Sequence, residues 1–162
     1  MKRLLIVILS AGAATALSLA VAAWAHDAPG RHHGPGPHGA RTFTVIEHAT
    51  TDATTDTGAP GDSAGDVLTF ANDVFDAADA RKVGTDQGYC IRVVAGSSYE
   101  CTWTTLLPGG QIVVAGPFLD TTNDNLLAVT GGTGRYRTAR GTMELHARDN
   151  GTKFAFVFRL KG

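Results

Sequence analysis

Four stretches of this chain combine residue types and spacings that could do chemistry. The first is Leu127–Gly141, LAVTGGTGRYRTARG, with four glycines and three arginines in fifteen residues. Glycine amides converging on the start of a helix would cradle a phosphate. Here a strand-like run precedes the glycines and another, RGTMELHAR, follows them, with no GxxxxGK(S/T) pattern. The stretch therefore predicts a sharp strand-to-strand connection with glycines at positive φ. Arg135, Arg137 and Arg140 then sit at a rim or cavity, or pair with surface acids. The second feature is Arg92, alone in the apolar run CIRVV. In a regular strand it shares the side of Cys90. Facing a cavity it could bind a carboxylate or stabilise developing negative charge; facing out it is a solvated arginine. The third is Cys90 and Cys101, flanking IRVVAGSSYE, which reads as two strands around a turn. Depending on register they are directly opposite or diagonal on one face, and they form either a disulfide or two buried thiols. The fourth is His26–Arg41, HDAPGRHHGPGPHGAR, with four histidines. Imidazoles bind copper, nickel or zinc, but no carboxylate or cysteine pattern supports a built site, so no metal is assigned.

The elements that must position these groups are strands. TFTVIEH (42–48) alternates and is rich in β-branched residues. A polar loop fills 49–66, and VLTFANDVFD (67–76) reads as a strand or a strand pair. Further strands are expected at 82–95, 98–106, 111–118, 125–131, 140–148 and 152–160, with at most one helical turn at 76–82. Asn150-Gly151 is a two-residue hairpin signal. In the last strand Phe154, Phe156 and Phe158 share one face, which belongs to an interior or an interface. Tyr99 and Trp103 alternate with polar residues and read as packing residues. About eight short strands suit a closed eight-stranded antiparallel β-barrel able to enclose a small ligand, with a two-sheet sandwich as the alternative.

The first 25 residues read as a secretory signal. Lys2 and Arg3 are followed by an uncharged run, Leu4 to Ala22, and by Ala23-Trp24-Ala25, a small-x-small cleavage pattern. An uncleaved anchor is the alternative. Residues 26–41 read as a flexible His/Gly/Pro-rich linker and 42–162 as the domain. Without Lys2 and Arg3 the 14 basic residues become 12 against 15 acidic ones, near −3. That balance argues against nucleic acid as a partner. The expected location is secreted or extracytoplasmic, with no membrane contact after cleavage, and that compartment permits the disulfide.

The blocks GDVLTFANDVFDAADARKVGTDQGYCIRV, QIVVAGPFLD, LAVTGGTGRYRTARG and FVFRLKG, in this order and spacing, resemble the allene oxide cyclase family. GGTGRYRTARG is equally similar to the dirigent proteins. The resemblance implies a calycin-like eight-stranded barrel with an apolar cavity, often trimeric, needing neither metal nor organic cofactor. It implies chemistry on a small hydrophobic, lipid- or phenol-like molecule. The cyclase asparagine that holds a water against the epoxide oxygen matches Asn72, and the cyclase cysteine matches Cys90. The cyclase tyrosine is replaced by Phe118. The cyclase glutamate falls on Thr44 in direct register, with Ile46 at a second asparagine, or on Glu47 after a shift of three. The dirigent arginine falls on Arg140, and Glu47 or Asp120 could stand for the dirigent aspartates. The expected catalytic residues are thus Asn72, Glu47 and Arg92, with Phe118, Arg140 and Cys90 on the ligand. With the tyrosine hydroxyl gone, the expected function is guided cyclisation or isomerisation of a hydrophobic molecule rather than the strict cyclase reaction. A cofactor-independent isomerase is the enzymatic form of that reading. A non-catalytic ligand-binding barrel and a cell-surface structural protein are the alternatives.

Overall fold

The computed structural model describes residues 40–122 and 124–161. The expected leader and all but the last two residues of the expected linker lie outside them; Arg41, counted with the linker, opens the first strand. Ten strands follow: β1 Arg41–His48, β2 Ala53–Thr55, β3 Val67–Phe70, β4 Asp73–Asp76, β5 Lys82–Val94, β6 Ser98–Leu107, β7 Gly110–Leu119, β8 Asp124–Gly132, β9 Arg140–Arg148 and β10 Lys153–Lys161. All pairings are antiparallel. The order runs β4-β1-β10-β9-β8-β7-β6, and β5 pairs with both β4 and β6, which closes the ring. β3 and β4 lie end to end along β5, while β2 continues beside β3 where β1 leaves β4. The ten strands therefore build a closed eight-stranded antiparallel barrel, and closure leaves the ring without a free edge.

Alternation decides what faces inward. On β10, Phe156 and Phe158 are buried, and Phe158 stacks on Phe43 of β1 with ring centroids 5.0 Å apart. Val45, Ile112, Val114, Leu127, Val129 and Met143 fill the interior around them. On β5 the inward set is Asp86, Gly88, Cys90 and Arg92, opposite Thr105, Trp103, Cys101 and Tyr99 of β6. Gly88 lets these strands pack: a Cβ there would lie 2.2 Å from Trp103 Cβ. Three local expectations change. The 49–66 loop contains the short strand β2. Residues 76–82 form a turn rather than a helical one, with Asp79 at φ 56°. The β9–β10 hairpin closes through four residues, not two, because Asp149, Asn150 and Gly151 all adopt positive φ between the paired Arg148 and Lys153.

The connection after TGGTG joins strand to strand, as its composition implies, but contains a single 3-10 turn, Gly134–Tyr136. Only Gly134 of its three glycines has positive φ, at 56°. A Cβ on Gly134 would lie 2.2 Å from the Gly109 carbonyl oxygen, so the close approach of two turns also requires glycine. Tyr136 is buried beneath the turn and anchors it.

Cys90 and Cys101 are directly opposite, with Cα atoms 4.0 Å apart, and form a disulfide inside the barrel. Tying a hairpin of this length stabilises by about 3 kcal/mol through the unfolded chain. Thiol alkylation of native, unreduced protein should label neither cysteine. Cys101→Ser with Cys90→Ser should lower unfolding free energy by about that amount in urea, and full labelling of native protein would contradict the bond.

Candidate functional site

The site lies where the barrel wall is broken. Between β1 and β2, and between β3 and β4, both strands leave the ladder at the same level. Asn72 occupies this gap and is 1% exposed. Its backbone still pairs with Asp86 of β5, N–H to carbonyl in both directions at 3.0 and 2.9 Å. Its side chain closes the break. Asn72 Oδ1 accepts from Thr50 N at 3.0 Å, Thr51 N at 2.9 Å and Thr51 Oγ1 at 2.9 Å. Its Nδ2 donates to Glu47 Oε1 and to Asp52 Oδ1, both at 2.8 Å. Every polar group of this carboxamide is engaged. Asn72 thus positions Glu47 and Asp52 and has no free donor for a water, which corrects its expected water-holding role.

Three carboxyls meet at this point. Glu47 is buried on β1 and Asp86 is buried on β5, while Asp52 stands exposed in the loop after β1. Burial holds the Glu47 carboxyl well above the usual carboxylate range, and the neighbouring charge of Asp86 adds to this against the opposing Asn72 hydrogen bond. Burial likewise pushes Asp86 up to about 7. The two carboxyls are within hydrogen-bonding reach of one another. Asp86 Oδ1 accepts from Asn72 N at 3.3 Å, but Asp86 Oδ2 is buried and receives no N–H or hydroxyl donor. Two ionised carboxylates this close would repel, which is why the charge of Asp86 raises Glu47 further.

Glu47 opens on a small cavity of about 50 Å³. The walls are Leu68, Phe70, the Cys90–Cys101 disulfide, Trp103, Phe118, Leu145, Phe154 and Phe156, with Asp52 at the edge. Trp103 packs against Phe156 at 5.6 Å and edge-on to Phe70 at 6.0 Å. Phe118 and Phe154 also border a polar depression with Asp120 and Arg148. This is a small concave apolar site with a few convergent polar groups.

The structure brings together Glu47, Asn72, Phe118 and Cys90 among the expected site residues. On strand one, Glu47 faces inward with Phe43 and Val45, whereas Thr44 and Ile46 lie on the other face. Phe118 and Cys90 are wall residues, and Cys90 is held in its disulfide. Arg92 does face inward, on the side of Cys90, but it is not free for catalysis. Its Nε lies 2.6 Å from Asp62 Oδ1, its Nη1 donates to Asp120 Oδ2 at 2.5 Å, and its guanidinium stacks on Tyr99, 3.6 Å from the ring centroid. Two carboxylates and an aromatic face neutralise it outside the cavity. Arg140 is exposed and its Nη1 donates to its neighbour's carbonyl, Ala139 O, at 2.7 Å, so it does not reach the cavity. Sequence reasoning missed Asp86 and Asp52. Asp86 shares the parity of Cys90 and Arg92, a usable signal; Asp52, in a loop of several aspartates, had none. Trp103 packs as expected and also forms part of the cavity wall.

The family described as "Allene oxide cyclase barrel like domain" matches residues 44–158. A solved pyocyanin demethylase is 26% identical, with TM-score 0.62, over 73% of this chain and 100% of its own. A pterocarpan synthase dirigent protein shares the fold at 17% identity and TM-score 0.60, over 78% of this chain and 99% of its own. So does a Diels Alderase from Streptomyces koyangensis at 19% identity and TM-score 0.60, over 75% of this chain and 62% of its own.

The carboxyl pair has a consequence for stability. A carboxyl whose value is raised by folding favours the native state most at low pH, and that contribution is lost as pH rises from its unfolded value of about 4 through about 7. Asp86→Asn should reduce this slope, leaving the part that burial of Glu47 contributes. Thermal melts of both proteins between pH 5 and 8 should show the wild type losing more stability than the variant. Parallel curves would mean that no proton is held at the pair.

Proposed function

Because the chain belongs to the allene oxide cyclase barrel-like family, we propose that its cavity takes up a small apolar molecule and that Glu47 acts on it as an acid–base group, guiding an isomerisation or cyclisation. Relatives of the same fold named as a demethylase, a pterocarpan synthase dirigent protein and a Diels Alderase indicate that the barrel is a frame whose chemistry is set by the residues inside. The observation that carries the reading is the buried Glu47 carboxyl, held by Asn72 and opening on an aromatic cavity. A neutral carboxyl in an apolar pocket donates a hydrogen bond and transfers a proton near neutral pH. Glu47 presents that group to the ligand, Asp86 behind it retains or returns the proton, and Asn72 fixes the orientation of Glu47. The wall of Phe118, Phe154, Phe156 and Trp103 excludes water and selects the folded shape of the bound molecule. The replacement of a tyrosine hydroxyl by Phe118 leaves the carboxyl pair as the acid–base group, which supports a reaction other than the strict cyclase one.

The leader-like residues 1–25 and the Cys90–Cys101 disulfide support export from the cytoplasm. A trimer is the assembly that the family resemblance supports.

Native mass spectrometry of protein purified from its own host, followed by extraction, should recover a bound apolar molecule. Glu47→Gln should keep that molecule bound and slow its conversion by about 10²–10⁴-fold. Arg140→Ala should convert it at the wild-type rate. Recovery of the molecule unchanged by wild type would identify a non-catalytic binding barrel, and an empty, ligand-indifferent barrel would remove both readings.

A further inference from the structure

The two ends of the barrel carry opposite charge. The β5–β6, β7–β8 and β9–β10 hairpins turn at one end, beside the 49–66 loop. Exposed Asp52, Asp56, Asp62, Asp120, Asp124 and Asp149 stand there. At the other end β1 starts, β10 finishes, β6 turns into β7 and β8 passes into β9. The segments that build this end, 41–43, 106–111, 130–142 and 159–161, contain no Asp or Glu. They carry exposed Arg41, Arg135, Arg137, Arg140 and Lys161. The chain as a whole has 14 basic against 15 acidic residues, so placement rather than net charge makes this face basic.

These five cations form one patch. Lys161 lies opposite Arg140 in the β9–β10 ladder, and Arg41 lies opposite Leu160 beside them. Arg41 and Arg135 both approach the Tyr136 ring, with Cζ atoms 5.8 and 5.6 Å from its centroid. Arg135 N donates to Gly109 O at 2.8 Å, which joins this turn to the β6–β7 turn, and Arg137 caps the same 3-10 turn. Elsewhere the barrel pairs its cations: Arg81 with Asp76, Lys82 with Asp73, Arg92 with Asp62 and Asp120, Lys153 with Asp79, and Arg159 with Glu144. Among the described residues, none of the five makes an ion pair with a carboxylate. Gathered like charges repel one another, and an external anionic surface relieves that repulsion.

The point of chain entry indicates which surface. The polypeptide before the barrel joins it at Arg41, within the basic end. Its sequence holds the apolar run Leu4 to Ala22, of the length that enters a bilayer, followed by the Pro- and Gly-rich stretch before β1. We infer that the barrel docks by this basic end on an anionic bilayer surface, its guanidinium and ammonium groups against lipid phosphates. The aspartate-rich end is repelled from that surface and points the 49–66 loop toward the medium. An apolar segment and a basic face together are the two signals that stable attachment takes; after cleavage of a leader the face alone gives weak, salt-sensitive binding. Such contact departs from the membrane-free barrel expected from leader cleavage. The patch lies apart from the cavity, so its test does not depend on the reading of that cavity.

Hydrogen exchange of the chain purified from its own host tests the docking face. It is measured with vesicles of phosphatidylcholine and with vesicles holding about 30 mol% phosphatidylglycerol. Amides of 134–140 should gain protection only on the anionic vesicles, and those of 56–66 should gain none. Sodium chloride at about 0.5 M should abolish the gain, because exposed charges are then screened within about 4 Å. Arg135→Gln, Arg137→Gln and Arg140→Gln combined should weaken binding of the leaderless chain to anionic vesicles by about 10²-fold, roughly fivefold per charge. Arg148→Gln, at the aspartate-rich end, should bind as wild type does. The exchange pattern decides the matter even if an uncleaved leader holds the chain on every vesicle. Equal protection on phosphatidylcholine, or protection on neither vesicle, would overturn the inference. Protection of 134–140 that grows with protein concentration in the absence of lipid would overturn it too, assigning the face to the aspartate-rich end of a second copy. Stronger protection by heparin than by anionic vesicles would overturn it in favour of a soluble polyanion.

Discussion

The interior of this barrel depends on one hydrogen-bonded side chain, the Asn72 carboxamide. A closed barrel supplies inward side chains at every second position, and burying a carboxyl among them is costly unless it is hydrogen-bonded or protonated. Here Glu47 and Asp86 come from strands that are not neighbours in the ladder, because the β3–β4 line runs between them. Asn72 interrupts that line and reaches both, donating to Glu47 through its side chain and to Asp86 through its backbone. The same carboxamide accepts from Thr50 and Thr51 and fixes the turn that sends the chain out of β1. A structural defect in the barrel wall and the placement of its acid pair are thus one feature. Replacing Asn72 would release the loop and strand two buried carboxyls at once, which makes its effect on folding inseparable from its effect on the site.

Much of the architecture was legible because strand alternation is a local property. TFTVIEH, RGTMELHAR and KFAFVFRL each state which residues face inward, and β1, β9 and β10 obey them. The facing of Cys90 and Cys101 followed once a hairpin was assumed, although only the register distinguishes direct from diagonal pairing. The site was less legible. Glu47 could be placed only by a shift in an alignment whose following loop differs in length. Asp86 carries the parity of an inward residue, but sequence shows parity, not which neighbours cross the interior. Arg92 illustrates the converse. Its inward facing was foreseeable, yet its pairing with Asp62 and Asp120 depends on two loops folding over the β5–β6 end, which no local pattern encodes. Arg140 lies in the most recognisable motif of the chain, and that motif builds a corner: its glycines permit the approach of two turns, and its arginines remain outside.

The barrel divides its charged groups by depth. At the β5–β6 end, Arg92 is satisfied by Asp62, Asp120 and the face of Tyr99, and its backbone holds Gly65 and Asp66 of the long loop. Asp66 in turn accepts from Thr57 N and Ser63 N, which organises that loop from within and lowers its carboxyl through those backbone hydrogen bonds. Arg92 thus has opposite charge on two sides. Deeper, at the Asn72 break, the carboxyls outnumber their donors, and among the described residues no basic side chain lines the cavity beside them. The first arrangement is what a closed structural joint needs. The second leaves a buried carboxyl oxygen, Asp86 Oδ2, without a donor.

That contrast bears on how one barrel hosts different reactions. The wall here is a smooth aromatic surface braced by the Cys90–Cys101 disulfide, and Phe118 contributes shape without a hydroxyl. With the wall chemically inert, the acid pair alone determines which bonds can be polarised. In the proposed reaction the carboxyls, not the wall, therefore supply the acid–base group.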